Sequence, residues 1–408
     1  MKAFSDLCVC IQDQCSPATS GASFYVGLEH IGSGTFFLRR HGSPADVQSA
    51  KTRFRKGDIL YGKLRPYLDK AVIAPFDGIC STDILVFRAK SDVCPTYLLA
   101  LIHAAEFRTH ADQTTNGVNH PRTSWHGLAG FGWEVPPKRK QEKIAAILWK
   151  IQRAIEVEEK LIATTRELKQ AAMRRLFTCG LRSGPQKETP YGMVPREWEI
   201  KPLSAWAHVQ TGATKGRTVP PEEALDVPYL RVANVQDGHL DLTEIKTLRI
   251  YRDELDGYRL QNGDVVLTEG GDFDKLGRGF IWEDQIHPCI HQNHVFAVRV
   301  NRDVLCPRYF AYLAQSPYGK AYFLTVAHKT TNLACINTTK LRAFPVLRPE
   351  PDEQKEIADI LHTLDRKISL HERKRAALSD LFQTLLHQLM TAQIRVDKLD
   401  IDTSEVTA

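Results

Sequence analysis

The sequence predicts an α+β protein that holds two globular domains in tandem, each followed by a long helix. Three observations support this fold class: a long amphipathic segment over residues 136–182, a second copy over residues 348–395, and matched strand-like segments ahead of each copy. A shift of 213 residues places Ile144 on Ile357 and Gln141 on Gln354. Two unrelated amphipathic helices would not keep this register together with the flanking proline and glutamine.

Apolar residues in both copies recur at steps of three and four, which places them on one stripe of a helix. The paired Pro136 and Pro137 suit a helix start, because a first-turn proline gives up no helical hydrogen bond. Gly180 is a plausible stop. The residues predicted to pack along the stripe are Ile144, Leu148, Ile151, Ile155, Leu168, Leu176, Ile357, Leu361, Leu364, Ile368, Leu381 and Leu389.

Each long helix would hold about 40 residues and span about 60 Å, since an α-helix rises ~1.5 Å per residue. A helix of that length with a single apolar stripe needs a partner for the stripe. We therefore predict that the two helices pack against each other as an antiparallel coiled-coil spacer, with pseudo-two-fold symmetry between the halves. Such a spacer would hold the two globular domains apart.

The globular halves repeat the same order of strand-like segments. Residues 24–31 are echoed by residues 228–235, and residues 83–88 by residues 294–299. A Gly-Asp turn feeds an apolar strand in both halves, at Gly57 and at Gly263. The predicted division of the chain is a first domain over 1–135, a helix over 136–182, a linker over 183–190, a second domain over 191–347, a helix over 348–395, and an acidic, disordered tail over 396–408.

Composition limits the classes that remain. A chain of 408 residues with 43% hydrophobic and 25% charged residues is typical of a folded protein of two or three domains. The sequence shows neither a signal pattern nor an apolar run of membrane-spanning length. Nine scattered cysteines without a Cys-x-x-Cys pair favour a reducing, cytoplasmic setting. A net charge of +6 permits an anionic partner without requiring one.

Basic and tyrosine side chains between residues 51 and 70, and polar loops in both halves, are the candidate DNA-binding features. Lysine and arginine neutralise phosphates, whereas asparagine, histidine and threonine can bond base edges. A solvated strand face would account for the charges equally well. The candidate DNA-binding residues are Lys63, Arg65, Tyr67, Lys70, Asn116, Asn119, His120, Arg122, Thr123, Lys275, Arg278, Gln292, Asn293, Lys329, Thr331, Asn332 and Asn337.

Motifs for catalysis are weak throughout. The spacing from Gly57 to Lys63 matches a phosphate-binding loop, but Leu64 stands where a magnesium-binding hydroxyl is required. His287, Cys289 and His291 alternate with His294 nearby, yet side chains spaced at ~6–7 Å along a strand suit a tetrahedral zinc ion poorly. Methyltransferase and helicase motifs are also missing from the sequence. We therefore expect a non-catalytic chain without cofactor or metal.

Several of these segments together resemble the specificity subunit of type I restriction–modification enzymes. They are Tyr25-Val-Gly-Leu-Glu29, Gly57-Asp-Ile-Leu-Tyr-Gly-Lys-Leu-Arg-Pro66, the helix starts Pro136-Pro-Lys-x-x-Gln-x-x-Ile144 and Arg348-Pro-x-x-x-Glu-Gln354, and Tyr191-Gly-Met-Val-Pro-x-x-Trp198. The resemblance covers essentially the whole chain, and the paired order of the motifs is more specific than any one of them. The first domain departs from the family pattern, because it begins at Met1 without the tryptophan-containing segment that precedes the second.

The resemblance implies two target-recognition domains, each binding one half of a bipartite site in double-stranded DNA. It further implies that the long helices set the gap between the half-sites and dock two modification (methyltransferase) subunits, which restriction (helicase-nuclease) subunits then join. No membrane partner is implied. Two other classes stay open: a restriction protein with its own catalytic centre, and a DNA-binding regulator or scaffold without methyltransferase partners.

Overall fold

The computed structural model describes residues 1–271, 276–329 and 334–407. The chain forms two compact units. Unit 1 comprises Met1–Leu161 and His371–Ala408, and unit 2 comprises Ile162–Leu370. The first long helix runs from Lys138 to Cys179 and the second from Pro351 to Met390, so each unit contains a part of both helices.

Unit 1 carries a globular head, which we call head 1, built around two small sheets. One sheet is antiparallel with the strand order Cys8–Ile11, Ile84–Ala89, Ile59–Gly62, Ala71–Ile73; the other has the order Gln14–Cys15, Lys51–Phe54, Gly78–Cys80, Tyr25–Val26. The remaining elements are the pair Lys2–Ala3 with Gly132–Trp133, the helices Phe4–Leu7, Pro95–His103, Ala105–Gln113, Trp125–Ala129 and Ser404–Thr407, and the 3₁₀ turns Pro17–Thr19, Leu28–His30, Pro44–Asp46 and Pro66–Leu68.

Unit 2 carries a second globular head, head 2, whose antiparallel sheet has the same arrangement and whose second sheet has three strands instead of four. Its antiparallel sheet has the order Ala207–Thr211, Val295–Val300, Val265–Thr268, Gly279–Ile281, and its second sheet the order Lys246–Tyr251, Ala224–Leu230, Ile290–His291. Strand pairs complete the unit: Gln186–Thr189 with Gly192–Pro195, Glu199–Pro202 with Pro345–Arg348, Val235–Gln236 with His239–Leu240, and Ala334–Cys335 with Gly270–Gly271 and His328–Lys329. The other helices are Leu203–Ala205, Val232–Asn234, Arg252–Glu254, Leu255–Tyr258, Pro307–Gln315, Pro317–Val326 and Thr338–Arg342.

The predicted Gly-Asp turn starts the same central strand in both heads. Gly57 and Gly263 have φ of +87° and +90°, a backbone region that glycine adopts without the usual steric cost. The aspartate that follows each glycine is buried, and it forms a two-pronged ion pair with an arginine on the neighbouring strand, Asp58 with Arg88 and Asp264 with Arg299. These paired contacts fix where each central strand begins.

Within each unit, the two long-helix segments pack in antiparallel fashion. In unit 2, Lys169 forms an ion pair with Asp365 at 2.6 Å, while Leu181, just past the first long helix, donates its N–H to Glu353 near the start of the second. In unit 1, the Glu158 carboxylate lies 2.7 Å from His371 and 2.5 Å from Lys374. The predicted α+β fold class, with two heads and two long helices, is therefore confirmed.

Most of the predicted stripe is buried, but two of its members are exposed. Ile144, Leu148, Ile155, Leu176, Ile357, Leu361, Leu364 and Leu389 are buried, and Ile151 and Ile368 are half-buried. Leu168 and Leu381 instead expose 56% and 45% of their surface.

The periodicity of the helix explains both corrections. Each residue turns an α-helix by about 100°, so the step of thirteen residues from Ile155 to Leu168 leads to the opposite side. Ile162 and Phe382, which continue the stripe at steps of seven and fourteen residues from Ile155 and Ile368, are buried instead.

The segment after the second long helix also differs from the expectation of a disordered tail. Val396 and Val406 are buried in the core of unit 1. Lys140 forms an ion pair with Asp397 at 2.6 Å, and the ammonium of Lys143 donates to the carbonyl of Leu399 at 2.6 Å. The apolar residues between the acidic ones supply this packing, which a reading of charge alone overlooks. Among the described residues, no helix is both long and apolar enough to cross a membrane.

Candidate nucleic-acid interface

In head 1, two predicted polar segments meet at the end of the central strand Ile59–Gly62. Lys63 donates its N–H to the carbonyl of Asp83 at 2.9 Å and accepts the N–H of Thr123 at 3.1 Å. Arg65 then donates its N–H to the carbonyl of Pro121 at 2.8 Å. These backbone bonds bring residues 63–70, which we call the reading segment, beside the polar loop over residues 114–123.

Part of the predicted set in head 1 is exposed and available to a ligand. Tyr67 exposes 53% of its surface, and Arg65, Asn116, Asn119 and His120 are also exposed. Within the part of the chain that the structure describes, these five side chains form no hydrogen bond or ion pair with protein groups. Lys63 is half-buried and likewise free at its ammonium. The cluster thus offers cations, amide donors and acceptors, an imidazole and a phenol on one surface, which suits phosphate contacts and base edges.

Other predicted residues of head 1 are engaged inside the protein. The Arg122 guanidinium contacts both oxygens of Asp83 at 2.8 and 3.1 Å, and this bonding holds the pKa of the Asp83 carboxyl below its usual value. The Thr123 hydroxyl is buried against that of Thr114 at 2.9 Å. The Lys70 ammonium donates to the carbonyl of Leu28 at 2.7 Å. These three side chains order the loops in the structure rather than extend from them.

The reading segment has an uncommon backbone. Arg65 and Asp69, both with φ of +51°, flank the 3₁₀ turn Pro66–Leu68. A residue other than glycine in the left-handed region costs of order 1 kcal/mol or more, so neighbouring contacts must hold the segment in place. The consequence is that Tyr67 and Leu68 stand out from the turn, with 53% and 39% of their surfaces exposed.

Head 2 has the same backbone frame with different charges. Glu269 donates its N–H to the carbonyl of His294 at 3.0 Å and accepts the N–H of Ile336 at 2.8 Å, as Lys63 does with Asp83 and Thr123. The side chains are exchanged between the heads. Head 1 has Lys63 and Asp83 at these two positions, whereas head 2 has Glu269 and His294, whose carboxylate and imidazole lie 2.5 Å apart.

Glu269 and His294 are not among the residues predicted from the sequence to bind DNA. The signal that could have found them is spacing, since Lys63 and Glu269 each lie six residues after the glycine of the Gly-Asp turn. Cys335 is a further exposed residue of this region that the prediction missed, and its strand pairs with Gly270.

Fewer of the predicted residues of head 2 are exposed on one surface than in head 1. Gln292 and Asn293 are half-buried and their N–H groups bond the carbonyls of Leu230 and Ala213. Arg278 is half-buried and donates to the carbonyl of Val232 at 3.3 Å. Asn337 caps the helix Thr338–Arg342 by accepting the N–H of Lys340 at 2.9 Å. Lys275, Thr331 and Asn332 lie outside the described residues, as does the side chain of Lys329.

The structure separates the histidines and cysteine that were weighed as a zinc site. Cys289 and His291 are buried, and burial lowers the pKa of His291 to about 4, which keeps its imidazole neutral. His287 instead contacts Asp284, and His294 contacts Glu269. Over residues 1–271, 276–329 and 334–407, no group of three or more metal-binding side chains is arranged to hold an ion. The segment from Gly57 to Lys63 forms a turn and a strand, not a phosphate loop before a helix.

The fold and the backbone bonds at Lys63 and Glu269 define a class of protein. It has tandem α+β heads, each presenting paired polar loops, on two long helices. The sequence profile of the type I restriction modification DNA specificity domain matches residues 45–165 and 195–380. The chain therefore belongs to the type I restriction–modification DNA specificity family. Curated relatives that the chain matches are named as specificity subunits of type I restriction enzymes.

Similar proteins agree with this assignment. A Methanocaldococcus jannaschii protein named for the type I restriction enzyme MjaX specificity subunit is 25% identical over 207 residues, which is 50% of this chain and 48% of that protein. This chain thus spans about half the length of that relative. The EcoKI specificity subunit of Escherichia coli K12 is 24% identical over 381 residues, which covers 90% of this chain and 79% of that protein.

A solved structure shares the fold. The type I restriction–modification S subunit from M. genitalium superimposes with a TM-score of 0.58 over 95% of each chain, at 12% sequence identity.

Proposed function

We propose that head 1 and head 2 are two target-recognition domains, each binding one half of a bipartite site in double-stranded DNA. The division that this proposal uses is residues 1–135 and 191–347 for recognition, residues 136–182 and 348–395 for the spacer, and residues 183–190 for the linker. Residues 396–408 are assigned to the support of head 1, in view of their packing in unit 1.

One observation carries the proposal: the same backbone frame occurs twice and presents different side chains. The frame of Lys63, Asp83 and Thr123 matches that of Glu269, His294 and Ile336 bond for bond. A repeated frame with exchanged side chains is suited to two different half-sites, because base edges are discriminated by the pattern of donors and acceptors. The heads should therefore read different sequences in the same geometry.

The exposed residues of head 1 are proposed as the readers of the first half-site, and the engaged residues as their support. Arg65 and Lys63 would contact phosphates or guanine, while Asn116, Asn119 and His120 would bond base edges. Tyr67 would pack on the sugar-phosphate backbone. For head 2 we propose Glu269, His294, Gln292 and Asn293 as readers, together with the predicted Lys275, Lys329, Thr331 and Asn332. The predicted Arg278 and Asn337, whose side chains are engaged, are proposed as their support.

A half-exposed apolar groove on the long helices is the proposed docking site for a methyltransferase subunit. In unit 2, Leu168, Ala172, Ile360 and Leu364 line a groove of about 600 Å³, with Asp352, Glu356 and Asp359 at its side. Leu168 and Ile360 expose 56% and 37% of their surfaces, so the groove presents apolar side chains that the packing of the two helices leaves uncovered.

The helix repeat places matching apolar residues in unit 1. The same 213-residue offset relates Leu168 to Leu381 and Ile360 to Ile147, and Leu381 is also exposed. One such surface on each unit fits two methyltransferase subunits, which restriction subunits would join. The complex would act on DNA in the cytoplasm, and this chain would supply recognition and no chemistry of its own.

The test is a map of modified bases in host DNA by direct long-read sequencing, with and without this gene. We expect a methylated bipartite motif that disappears when the gene is deleted. Replacing residues 1–135 with the corresponding domain of another specificity subunit should change one half of the motif and leave the other half intact. A change in both halves would refute the division into two independent readers.

Unchanged methylation after deletion would leave the regulator without methyltransferase partners as the better account. Co-purification decides that case: the full-length chain should retain a methyltransferase subunit, and replacing Ile360 with glutamate should release it without unfolding the chain. Lys187, whose ammonium bonds the carbonyl of Trp198 away from the groove, offers a control position for a substitution by glutamate.

A further inference from the structure

A buried histidine lies under the reading segment of head 1. His103 exposes 1% of its surface and ends the helix Pro95–His103. Its Nδ1 lies 2.7 Å from a carboxylate oxygen of Asp69, and its Nε2 lies 3.1 Å from the carbonyl oxygen of Ala71. The ring of Phe36 stacks on the imidazole, with centroids 5.5 Å apart.

Both partners of His103 belong to the last turn of the reading segment and the strand after it. Asp69 and Ala71 flank the point where residues 63–70 enter the strand Ala71–Ile73, and both supply only acceptor atoms to the ring. A neutral imidazole has one N–H and can donate to one of them, whereas an imidazolium donates to both. Arg108 lies 3.9 Å from the second oxygen of Asp69 and adds positive charge to the same carboxylate.

A second chain of contacts ties the same turn to the first long helix. The buried Gln152 of that helix donates from its amide to the carbonyl of Gly34 at 3.0 Å. Gly34 in turn donates its N–H to the carbonyl of Asp69 at 2.9 Å. Asp69, whose φ of +51° is uncommon, is therefore held on its backbone from the spacer side and on its side chain by His103.

Head 2 has the corresponding bond with a different residue. Gln315 ends the helix Pro307–Gln315 as His103 ends Pro95–His103, and its amide donates to the carbonyl of Gly279 at 3.1 Å. Gly279 and Ala71 hold the same place, because Ile281 pairs with Val265 as Ile73 pairs with Ile59. A histidine in head 1 and a glutamine in head 2 thus bond a carbonyl at the same position. The two heads share this hydrogen bond and not the residue type that makes it.

We propose that His103 is a positioning residue for DNA recognition by head 1. Through Asp69 and Ala71 it holds the left-handed turn that projects Arg65 and Tyr67, and it touches no DNA itself. The Nε2 contact with Ala71 holds the strand end, as Gln315 does in head 2, while the Nδ1 contact with Asp69 holds the turn, and both are donated bonds when both ring nitrogens carry a proton. This inference rests on the proposed role of residues 63–70 in reading the first half-site.

The experiment compares variants of the full chain, expressed with its methyltransferase subunits, by long-read maps of host DNA. Discrimination in each half-site is the ratio of methylation at intact motifs to methylation at sites with one changed base. His103→Ala should reduce first-half discrimination about tenfold, a loss on the scale of one base-pair contact, and leave second-half discrimination unchanged. His103→Gln keeps a donor for Ala71 and should retain more than His103→Ala.

Two further variants separate the possible failures. Gln315→Ala is the matched control and should leave first-half discrimination at the level of the unaltered chain. Lys63→Gln with Arg65→Asn tests the reading segment itself. If this double variant weakens first-half discrimination and neither His103 variant does, the positioning role is refuted and the proposed function stands. If the double variant has no effect either, the role of the reading segment fails, and the inference fails with it.

Hydrogen exchange distinguishes positioning from general loss of structure. In His103→Ala, the amides of residues 63–70 should exchange faster while those of the strands Ile84–Ala89 and Ile59–Gly62 keep their protection. Loss of protection throughout head 1 would mean that His103 is a general core residue and would overturn the proposal for this variant. His103→Gln, which fills a similar volume, would then have to show the selective loss for the proposal to survive.

Discussion

Removing two cations at one end of a strand should change the salt dependence of DNA binding, whereas removing two at the other end should not. Lys63 and Arg65 follow the strand Ile59–Gly62, and Arg55 and Lys56 precede it. All four belong to head 1, so the variants Lys63→Gln with Arg65→Asn and Arg55→Gln with Lys56→Gln remove the same charge. Asparagine is chosen at Arg65 because it tolerates the left-handed backbone found there, with φ of +51°.

The expected magnitude follows from counterion release. Each phosphate contact contributes about −0.9 to the slope of log K against log salt concentration, so loss of two contacts makes the slope shallower by about 1.8. Over a fourfold increase in salt, this difference corresponds to about a 12-fold smaller loss of affinity. The strand Ile59–Gly62 lies between the two pairs, and its four residues extend the chain by about 13 Å, which exceeds the Debye length of ~10 Å at 0.1 M salt.

Fluorescence anisotropy with a labelled duplex that contains the mapped motif, measured from 50 to 200 mM salt, is the assay. The variant at Lys63 and Arg65 should make the slope shallower, and the variant at Arg55 and Lys56 should leave it within error of the unaltered chain. A slope that becomes equally shallow in both variants would show that head 1 contacts phosphates over a broad basic surface. The assignment of the interface to the reading segment would then be wrong.

Two further predictions concern the long helices. Leu361→Ala should reduce the free energy of unfolding by about 2–5 kcal/mol because Leu361 is fully buried. Leu168→Ala should reduce it by less than about 1 kcal/mol because the side chain of Leu168 is 56% exposed. Urea denaturation of both variants measures the difference, and equal losses would contradict the burial pattern. Glu158, whose pKa is lowered chiefly by hydrogen bonds from Lys374 and His371, should stabilise the fold above the unfolded-state pKa of about 4.3 and lose that effect as the pH falls through the folded-state pKa. The stability difference between the unaltered chain and Glu158→Gln should therefore shrink from pH 7 to pH 3, and a difference that grows on acidification would refute this sign.

The sequence predicts the long helices and the repeat well because their signal is local and periodic. Ile144, Leu148 and Ile155 follow the 3.6-residue period closely and are buried as predicted. The assignment fails at Leu168 and Leu381, where fixed steps were extended past the point at which the stripe had turned away. The buried Ile162 continues the stripe, because the seven residues from Ile155 complete almost two turns of the helix.

The candidate site could be predicted only in outline, because its partners are remote in sequence. Polar residue types indicate which segments are candidates, but Arg122 reaches Asp83 across 39 positions. Nothing local in the sequence shows that this guanidinium is engaged while that of Arg65 is free. His103 shows the same limit, since a histidine within an apolar helix gives no sign of its two acceptors. Such assignments require the tertiary fold, which decides the burial and bonding of each polar group.

The two heads show how one backbone frame can carry different side chains. In both, the site is fixed by backbone bonds and by strand register, with Ile59 opposite Phe87 and Val265 opposite Val298. Backbone N–H and carbonyl groups are the same for every residue other than proline, so the bonds at Lys63 and Glu269 place no demand on side-chain charge. Side chains there can change from cation to anion without loss of the frame. Below the frame, His103 and Gln315 are different residues that contact a carbonyl at the same position, Ala71 in head 1 and Gly279 in head 2.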